Sequence, residues 1–215
     1  MFSADHINFG FGHNASLLKF FILDNIYPLY KIVGDIMTNS VLKAIRDRRS
    51  VRRFETASIE EEKIQAILEA GRWAPSWLNR QPWRFLIITD QNLKQRISES
   101  VPVIFIMGLK EAPICIAVCV EPKEDPYHFI EDGAAATQNM ALAAQSLGLG
   151  SCWIGVFNLK DEKDSAEKKM KEILNIPKTY RLISILPIGV PKYVEEKKRK
   201  ELSQLIYHNN FQKTT

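Results

Sequence analysis

Apolar residues at helical spacing predict helices early in this chain. The first helix is marked by Val41, Leu42 and Ile45. Polar residues at positions 38–40 precede it and can cap its first turn. A second helix is expected behind Ser58, which forms a capping-box pattern with Glu61, and Gly71 is expected to end it.

The second half of the chain predicts two more helices, and apolar runs predict four strands. Residues 132–147 are rich in alanine, which indicates a buried helix ending at Gly148, and residues 166–174 are typical of an amphipathic helix. The continuous apolar runs that predict strands are 85–88, 112–120, 151–155 and 180–189. Because helices and strands do not alternate strictly, the pattern favours an α+β fold in layers.

The composition is that of a globular protein with a small excess of positive charge. The 215 residues are 46% hydrophobic and 25% charged, and the formal net charge is +4. This excess favours an anionic small ligand but is too small to indicate nucleic acid. Three cysteines without a regular framework predict reduced thiols and a cytoplasmic protein. Charged residues interrupt the most apolar stretch, 17–37, so we expect no membrane-spanning helix and no signal peptide.

Residues 1–36 differ from the rest of the sequence, because they have few charges and no clear period. The regular pattern begins at Met37, so we expect residues 37–215 to form a single domain. The extension 1–36 is either upstream sequence that is not translated in the cell or a dispensable arm. The alternative is a helix that packs on the domain, which the apolar residues at 17–22 suggest.

Several common signatures of catalytic and binding sites do not occur in the sequence. There is no G-x-G-x-x-G, no phosphate-binding G-x-x-x-x-G-K-S/T and no H-E-x-x-H. Cys115 and Cys119 with four scattered histidines are a poor set of metal ligands, so we expect no metal and interpret both cysteines as buried strand residues.

Two basic clusters and one unusual loop are the candidate functional features. Residues 48–52 and 197–199 contain arginine, lysine and serine, which suit a phosphate, although both clusters could equally be solvated surface patches. The loop 75–83 holds two tryptophans and several hydrogen-bonding side chains between prolines. It either lines a ligand site or is a packing loop stiffened by proline.

Four motifs in order resemble the nitroreductase family, over about residues 37–211. The segment 48–52 resembles its R-R-S-x-R opening, and 74–83 its A-P-S-x-x-N-x-Q-P-W loop. Residues 132–155 are similar to its central helix and the turn that follows, and 186–199 to its closing segment. The resemblance implies a mixed, mainly antiparallel central sheet flanked by helices, and an intertwined homodimer that binds FMN between subunits.

The resemblance also implies which residues hold the flavin. The ribityl phosphate would be bound by Arg48, Ser50, Lys197 and Arg199, and Arg49 would support the same wall. Arg52 would lie near the pyrimidine end of the flavin, where its charge stabilises the reduced ring. The partner subunit would close the site with Pro75, Ser76, Trp77 and Asn79. The backbone along the flavin edge would be that of Ile154, Gly155 and Val156. One of its N–H groups would point at the N5 atom of the flavin.

The activity implied is the reduction of small, electron-poor acceptors such as quinones or nitroaromatics, with NADH or NADPH as hydride donor. No catalytic side chain is expected, because the flavin carries the chemistry. Other readings are a family branch for dehalogenation or flavin breakdown, and a flavin-binding protein for storage or sensing without turnover. The span 101–110 leaves little room for the lid that such branches use. Ile188 stands where family members often have tyrosine.

Overall fold

The computed structural model describes residues 39–106, 108–158 and 164–211. The chain divides into two units between Asp47 and Arg48. In the first unit, helix α1 (Ser40–Asp47) is capped as predicted, since the Asn39 side chain accepts hydrogen bonds from the amides of Val41 and Leu42. The extension 1–36 and the boundary predicted at Met37 lie outside the described residues.

The described residues of the second unit, which begins at Arg48, form four α-helices, five strands and three short 3-10 helices. The helices are α2 (Glu61–Arg72), α3 (Gln91–Ser100), α4 (Phe129–Ser146) and α5 (Ala166–Ile173). The strands are β1 (Trp83–Ile88), β2 (Ile114–Val120), β3 (Gly150–Ser151), β4 (Ile154–Gly155) and β5 (Arg181–Gly189).

The strands form one open antiparallel sheet in the order β1-β2-β5-β3, and β4 also pairs with β5. Every residue of β2 is buried, because apolar layers cover both faces of the sheet. Ile116 and Val118 pack in one layer with residues of α2 and α4, whereas Cys115 and Ala117 pack in the other with residues of α3 and α5. The predicted α+β class, with helices around an antiparallel sheet, is therefore confirmed.

Four local predictions differ from the structure. Ser58 does not cap α2, whose N-cap is Glu60, and Gly71 is buried inside that helix. The strand expected over 151–155 is two short strands, β3 and β4, which pair with different parts of β5. Helix α3 has no counterpart among the predictions. The only parallel pairing among the described residues is an isolated bridge between Ser50 and Ser151, so the sheet itself is not mixed.

Candidate functional site

The basic segment 48–52 is fixed against the short strand β3. The Val51 amide donates to the Ser151 carbonyl oxygen at 2.8 Å, and Ser50 forms the parallel bridge to the same residue. Gly150 makes this contact possible, since a Cβ atom there would lie 2.6 Å from Cγ2 of Val51. The close backbone approach therefore sets the position of the arginines on either side of Val51.

Positive charge from this segment faces the turn between β3 and β4. Burial raises the pKa of the Cys152 thiol, and the charges of Arg52 and Arg48 act in the opposite direction. Arg52 also donates to the Ser50 carbonyl oxygen at 3.3 Å, and Arg49 to that of Arg48 at 3.0 Å. The segment 48–52 therefore lies against the β3–β4 turn.

Strand β4 presents backbone rather than side chains at its surface. Ile154 and Val156 are buried in the core, whereas Gly155 between them is exposed. A Cβ atom on Gly155 would find open space, with Nε1 of Trp153 at 3.8 Å as its nearest neighbour. A flat ligand can therefore approach the main chain at Gly155.

The loop of residues 75–81, called here the Trp77 loop, is held in an unusual backbone conformation. Leu78, Asn79 and Gln81 have φ angles of 49°, 56° and 54°, in the left-handed region that non-glycine residues seldom adopt. The Ser76 hydroxyl accepts from the Gln81 amide at 3.0 Å. Such a conformation persists only where its surroundings determine it, and it is common at ligand sites.

A polar and aromatic cluster supports the Trp77 loop. The Trp77 amide donates to Oδ1 of Asp132 at 3.1 Å. The Trp77 ring lies 5.1 Å from the His128 ring and 5.7 Å from that of Tyr127, and the Arg80 guanidinium lies over it at 5.4 Å. Pro75 is exposed, and Ser76 and Trp77 are half-buried. These contacts place the loop beside the start of α4.

Lys197 and Arg199 lie in an exposed segment after β5. Lys197 pairs with Glu195 at 3.3 Å, and Arg199 donates to the carbonyl oxygens of Lys197 and Lys198. Among residues 39–106, 108–158 and 164–211, the hydrogen bonds and ion pairs of these two side chains stay within this segment. The closing segment begins beside the first basic segment, because the Lys192 amide donates to the Arg53 carbonyl oxygen at 3.0 Å.

Two polar clusters near the site were not predicted. Asp125 and His128 join Asp132 behind the Trp77 loop, and their only sequence signal is acidic residues near an otherwise apolar helix. Behind β4, Glu167 is buried and accepts from Nε of Arg181 at 2.7 Å and from the Asn158 amide at 2.9 Å. This second cluster fixes the chain directly after Val156 to β5 and α5.

Within the described part of the chain, no helix is both long and apolar enough to cross a membrane. The same part contains no cluster of three or more histidine, cysteine, aspartate or glutamate side chains that could hold a metal ion.

Known proteins resemble this chain over most of its length. An Archaeoglobus fulgidus protein with the provisional name NADH dehydrogenase/NAD(P)H nitroreductase is 37% identical over 154 residues, which are 70% of this chain and 85% of the relative. The solved structure of an FMN-dependent nitroreductase from Clostridium difficile has a TM-score of 0.69 and 33% identity, covering 78% of this chain and 98% of that one. An iodotyrosine deiodinase from Thermotoga neapolitana is 31% identical over 169 residues, which are 68% of this chain and 86% of the relative.

The sequence model of the nitroreductase family matches residues 45–103 and 107–190 of this chain. These ranges contain the whole sheet, helices α2 to α5 and the segment 48–52. The chain therefore belongs to the nitroreductase family.

Proposed function

We propose that this protein is an FMN-dependent NAD(P)H oxidoreductase that reduces small, electron-poor acceptors such as quinones or nitroaromatics. The observation that carries the proposal is the cationic segment 48–52 held against β3, together with the exposed backbone of Gly155 on the next strand. A phosphate needs the first feature, and the edge of a flat ring system needs the second. The FMN-dependent relative supports the choice of cofactor.

Each predicted residue has a distinct task in this proposal. Arg48 and Ser50 bind the phosphate with Lys197 and Arg199, and Arg49 supports that wall. Arg52 stabilises negative charge at the pyrimidine end of the ring. The main chain at Ile154, Gly155 and Val156 lines the ring edge. When bound, FMN supplies hydride transfer from the nicotinamide donor and delivery of electrons to the acceptor.

The proposed active form is a homodimer in which Pro75, Ser76, Trp77 and Asn79 close the partner's site. The exposed segment 192–211 supports it, because this segment carries large apolar side chains, with Leu202 68% and Phe211 87% exposed. Contiguous apolar surface of this kind marks an interface. The proposed compartment is the cytosol, where buried free thiols such as those of this chain persist.

The decisive experiment is an absorbance spectrum of the purified protein followed by anaerobic addition of NADH and NADPH. The proposal expects a flavin spectrum, heat-released FMN rather than FAD, and bleaching by at least one nucleotide. Turnover is then measured with a quinone and a nitroaromatic compound. A protein that stays colourless with added FMN contradicts the proposal.

The same assay separates the alternatives. The identity with a deiodinase leaves a dehalogenating branch as the second candidate. That branch predicts bound FMN, release of halide from an iodinated phenol, and no steady turnover with a quinone. Flavin breakdown predicts loss of FMN itself, and a storage or sensing protein predicts FMN without turnover.

A further inference from the structure

Two carboxylates are buried side by side behind the Trp77 loop. Asp125 is 0% exposed and Asp132 is 4% exposed. Oδ1 of Asp132 accepts from the Trp77 amide at 3.1 Å, and Oδ1 of Asp125 accepts from the amides of Tyr127 and His128 at 3.0 Å each. One oxygen of each acid is therefore committed to main chain, and the second remains to be satisfied.

The two carboxyl groups are neighbours. The two side chains lie within hydrogen-bonding reach. Yet Oδ2 of each acid is buried without a donor when both carboxyls are ionised. Two carboxylate oxygens cannot bond directly, because both are acceptors. A proton held between them satisfies both atoms at once, and buried acids in contact commonly share one in this way.

We propose that Asp125 and Asp132 share one proton and that this acid pair positions the Trp77 loop for ligand binding. Asp132 is a positioning residue here, since it acts through the Trp77 amide. The pair itself rests only on the geometry of this chain. The link to ligand binding rests on the proposed function, in which the Trp77 loop closes a flavin site.

The surrounding charges define how the pair responds to pH. The groups that face it are His128, whose Nδ1 lies 3.9 Å from Oδ1 of Asp125, and Arg80 beyond the Trp77 ring. Burial raises the pKa of Asp132 to about 6, and the neighbouring Asp125 adds to this rise. Burial opposes ionisation of Asp125 as well, but the amides of His128 and Tyr127 outweigh it and lower its pKa. The shared proton therefore leaves as the pH rises through about 6.

Loss of that proton leaves two buried negative charges in contact. Repulsion then separates the two carboxylates. Either the hydrogen bond from the Trp77 amide to Asp132 breaks, or the turn that Asp125 stabilises changes conformation. Because the loop contains three left-handed residues that depend on their surroundings, it relaxes when this support weakens. The Trp77 side chain reports the change, since its ring packs on His128.

Tryptophan fluorescence of the full-length chain as purified, measured between pH 5 and pH 8, tests the pair itself. We expect a transition centred near pH 6 that is lost in Trp77→Phe. Asp132→Asn should also lose it, because the amide offers a permanent N–H to Asp125 and keeps an acceptor for Trp77. Asp125→Asn makes the same replacement from the other side and should give the same result.

Three results overturn the acid pair. One is a wild-type protein without the transition. Another is a transition that survives in Asp132→Asn but disappears in His128→Phe, because His128 is then the titrating group. The third is opposite behaviour of the two asparagine variants, since each of them replaces the same shared proton.

A titration with FMN tests the positioning role. We expect the ratio of the wild-type FMN dissociation constant to that of Asp132→Asn to rise at least about fivefold from pH 5.5 to pH 7.5, since the second ionisation of the FMN phosphate near pH 6 affects both proteins alike. A fluorescence transition with pH-independent FMN binding overturns the positioning role and leaves the acid pair standing. If FMN does not bind at any pH, the proposed function fails, and the fluorescence result still decides the pair.

Discussion

At the scale of single residues, the two glycines around the β3–β4 turn have opposite surroundings. A side chain at Gly150 would collide with Val51, whereas one at Gly155 would project into open space. The first glycine is needed for packing within the chain. The second is needed only if something else occupies that space, and the proposed occupant is the flavin edge.

Valine at these two positions should therefore give opposite results. Gly150→Val should lower the free energy of unfolding by about 1–3 kcal/mol, because the core beside it is already filled. Gly155→Val should leave that free energy nearly unchanged and slow flavin reduction by NADH at saturating FMN. Urea unfolding and anaerobic stopped-flow reduction measure the two quantities. A normal reduction rate in Gly155→Val shows that this glycine does not face the flavin.

The exposed arginine of the closing segment should act on affinity alone. Arg199→Ala removes a charge-assisted contact to phosphate, worth roughly 1.5–3 kcal/mol, so the FMN dissociation constant should rise about 10- to 150-fold. The reduction rate at saturating FMN should recover, because the phosphate is remote from the reacting ring. Lys200→Ala, next in the same segment, is the matched control and should bind normally. Slow reduction of Arg199→Ala at saturating FMN would place this residue at the ring instead.

The sequence motifs indicated those parts of the candidate site that are formed by residues close together in the sequence. The arginines around Ser50 and the β3–β4 turn belong to short motifs, and the structure places the arginines beside Ser151 and Cys152. The contact between Asp125 and Asp132 could not be predicted, because their burial depends on how the Trp77 loop folds over them. The phosphate-binding role of Lys197 and Arg199 stays a prediction, because their hydrogen bonds and ion pairs in the described structure lie within the closing segment.

At the scale of elements, a buried ion pair holds the end of β4. Glu167 on α5 is 1% exposed at its side chain and binds Arg181 of β5 as well as the Asn158 amide. Burial alone would raise the pKa of Glu167, but Arg181 and the amides of Asn158 and Leu182 lower it below its ordinary 4.5. A carboxyl with a lowered pKa stabilises the fold above that ordinary value and stops doing so as the pH falls through the lowered one.

Glu167→Gln should therefore destabilise the protein by about 1.5–3 kcal/mol near neutral pH, since a neutral amide replaces the carboxylate that binds the half-buried Arg181. The difference from the wild type should shrink as the pH is lowered well below 4.5. Urea unfolding at several pH values measures it. Glu172→Gln, on the exposed side of the same helix, is the control and should change stability by less than about 0.5 kcal/mol. A pH-independent difference would contradict the role of the ionised carboxylate.

Apolar runs predicted β2 and β5 well, because both faces of these strands are covered and the strands are continuously hydrophobic. Helix α3 was not predicted, because it has no comparable pattern of hydrophobic residues. Its ten residues are mostly polar, and only Leu93 and Ile97 contribute to the core. Its visible signal is Asp90, whose side chain accepts from the amides of Asn92 and Leu93. The capping box at Ser58 was wrong because the helix begins after Glu60 instead.

At the scale of the whole molecule, the exposed closing segment predicts the assembly. We expect light scattering to give about twice the 24.7 kDa of the chain. A chain that ends at Lys192 should run as a folded monomer with little bound FMN, because residues 193–211 are all exposed and contribute nothing to the buried core of their own chain. Circular dichroism provides the control for folding. A full-length, flavin-loaded monomer would contradict the proposed dimer.

The extension before the predicted domain can be tested by removal. A chain that begins at Met37 should bind FMN and form the same assembly as the full-length protein, because the family match starts only at residue 45. FMN content and light scattering of both chains provide the comparison. Failure of the shorter chain to fold would favour the alternative, in which residues 1–36 pack on the domain.

The order of strands in the sheet has a consequence for how the protein is made. Strand β2 lies between β1, which precedes it closely, and β5, which follows about 60 residues later, as the pairing of Val120 with Arg181 shows. During synthesis, one edge of β2 therefore stays unpaired and its apolar faces stay partly exposed until β5 has emerged from the ribosome. Pairing between such distant segments is slow, and unfinished strands aggregate readily. Yield in cells should therefore depend on translation speed and chaperones more strongly than the stability of the finished fold suggests.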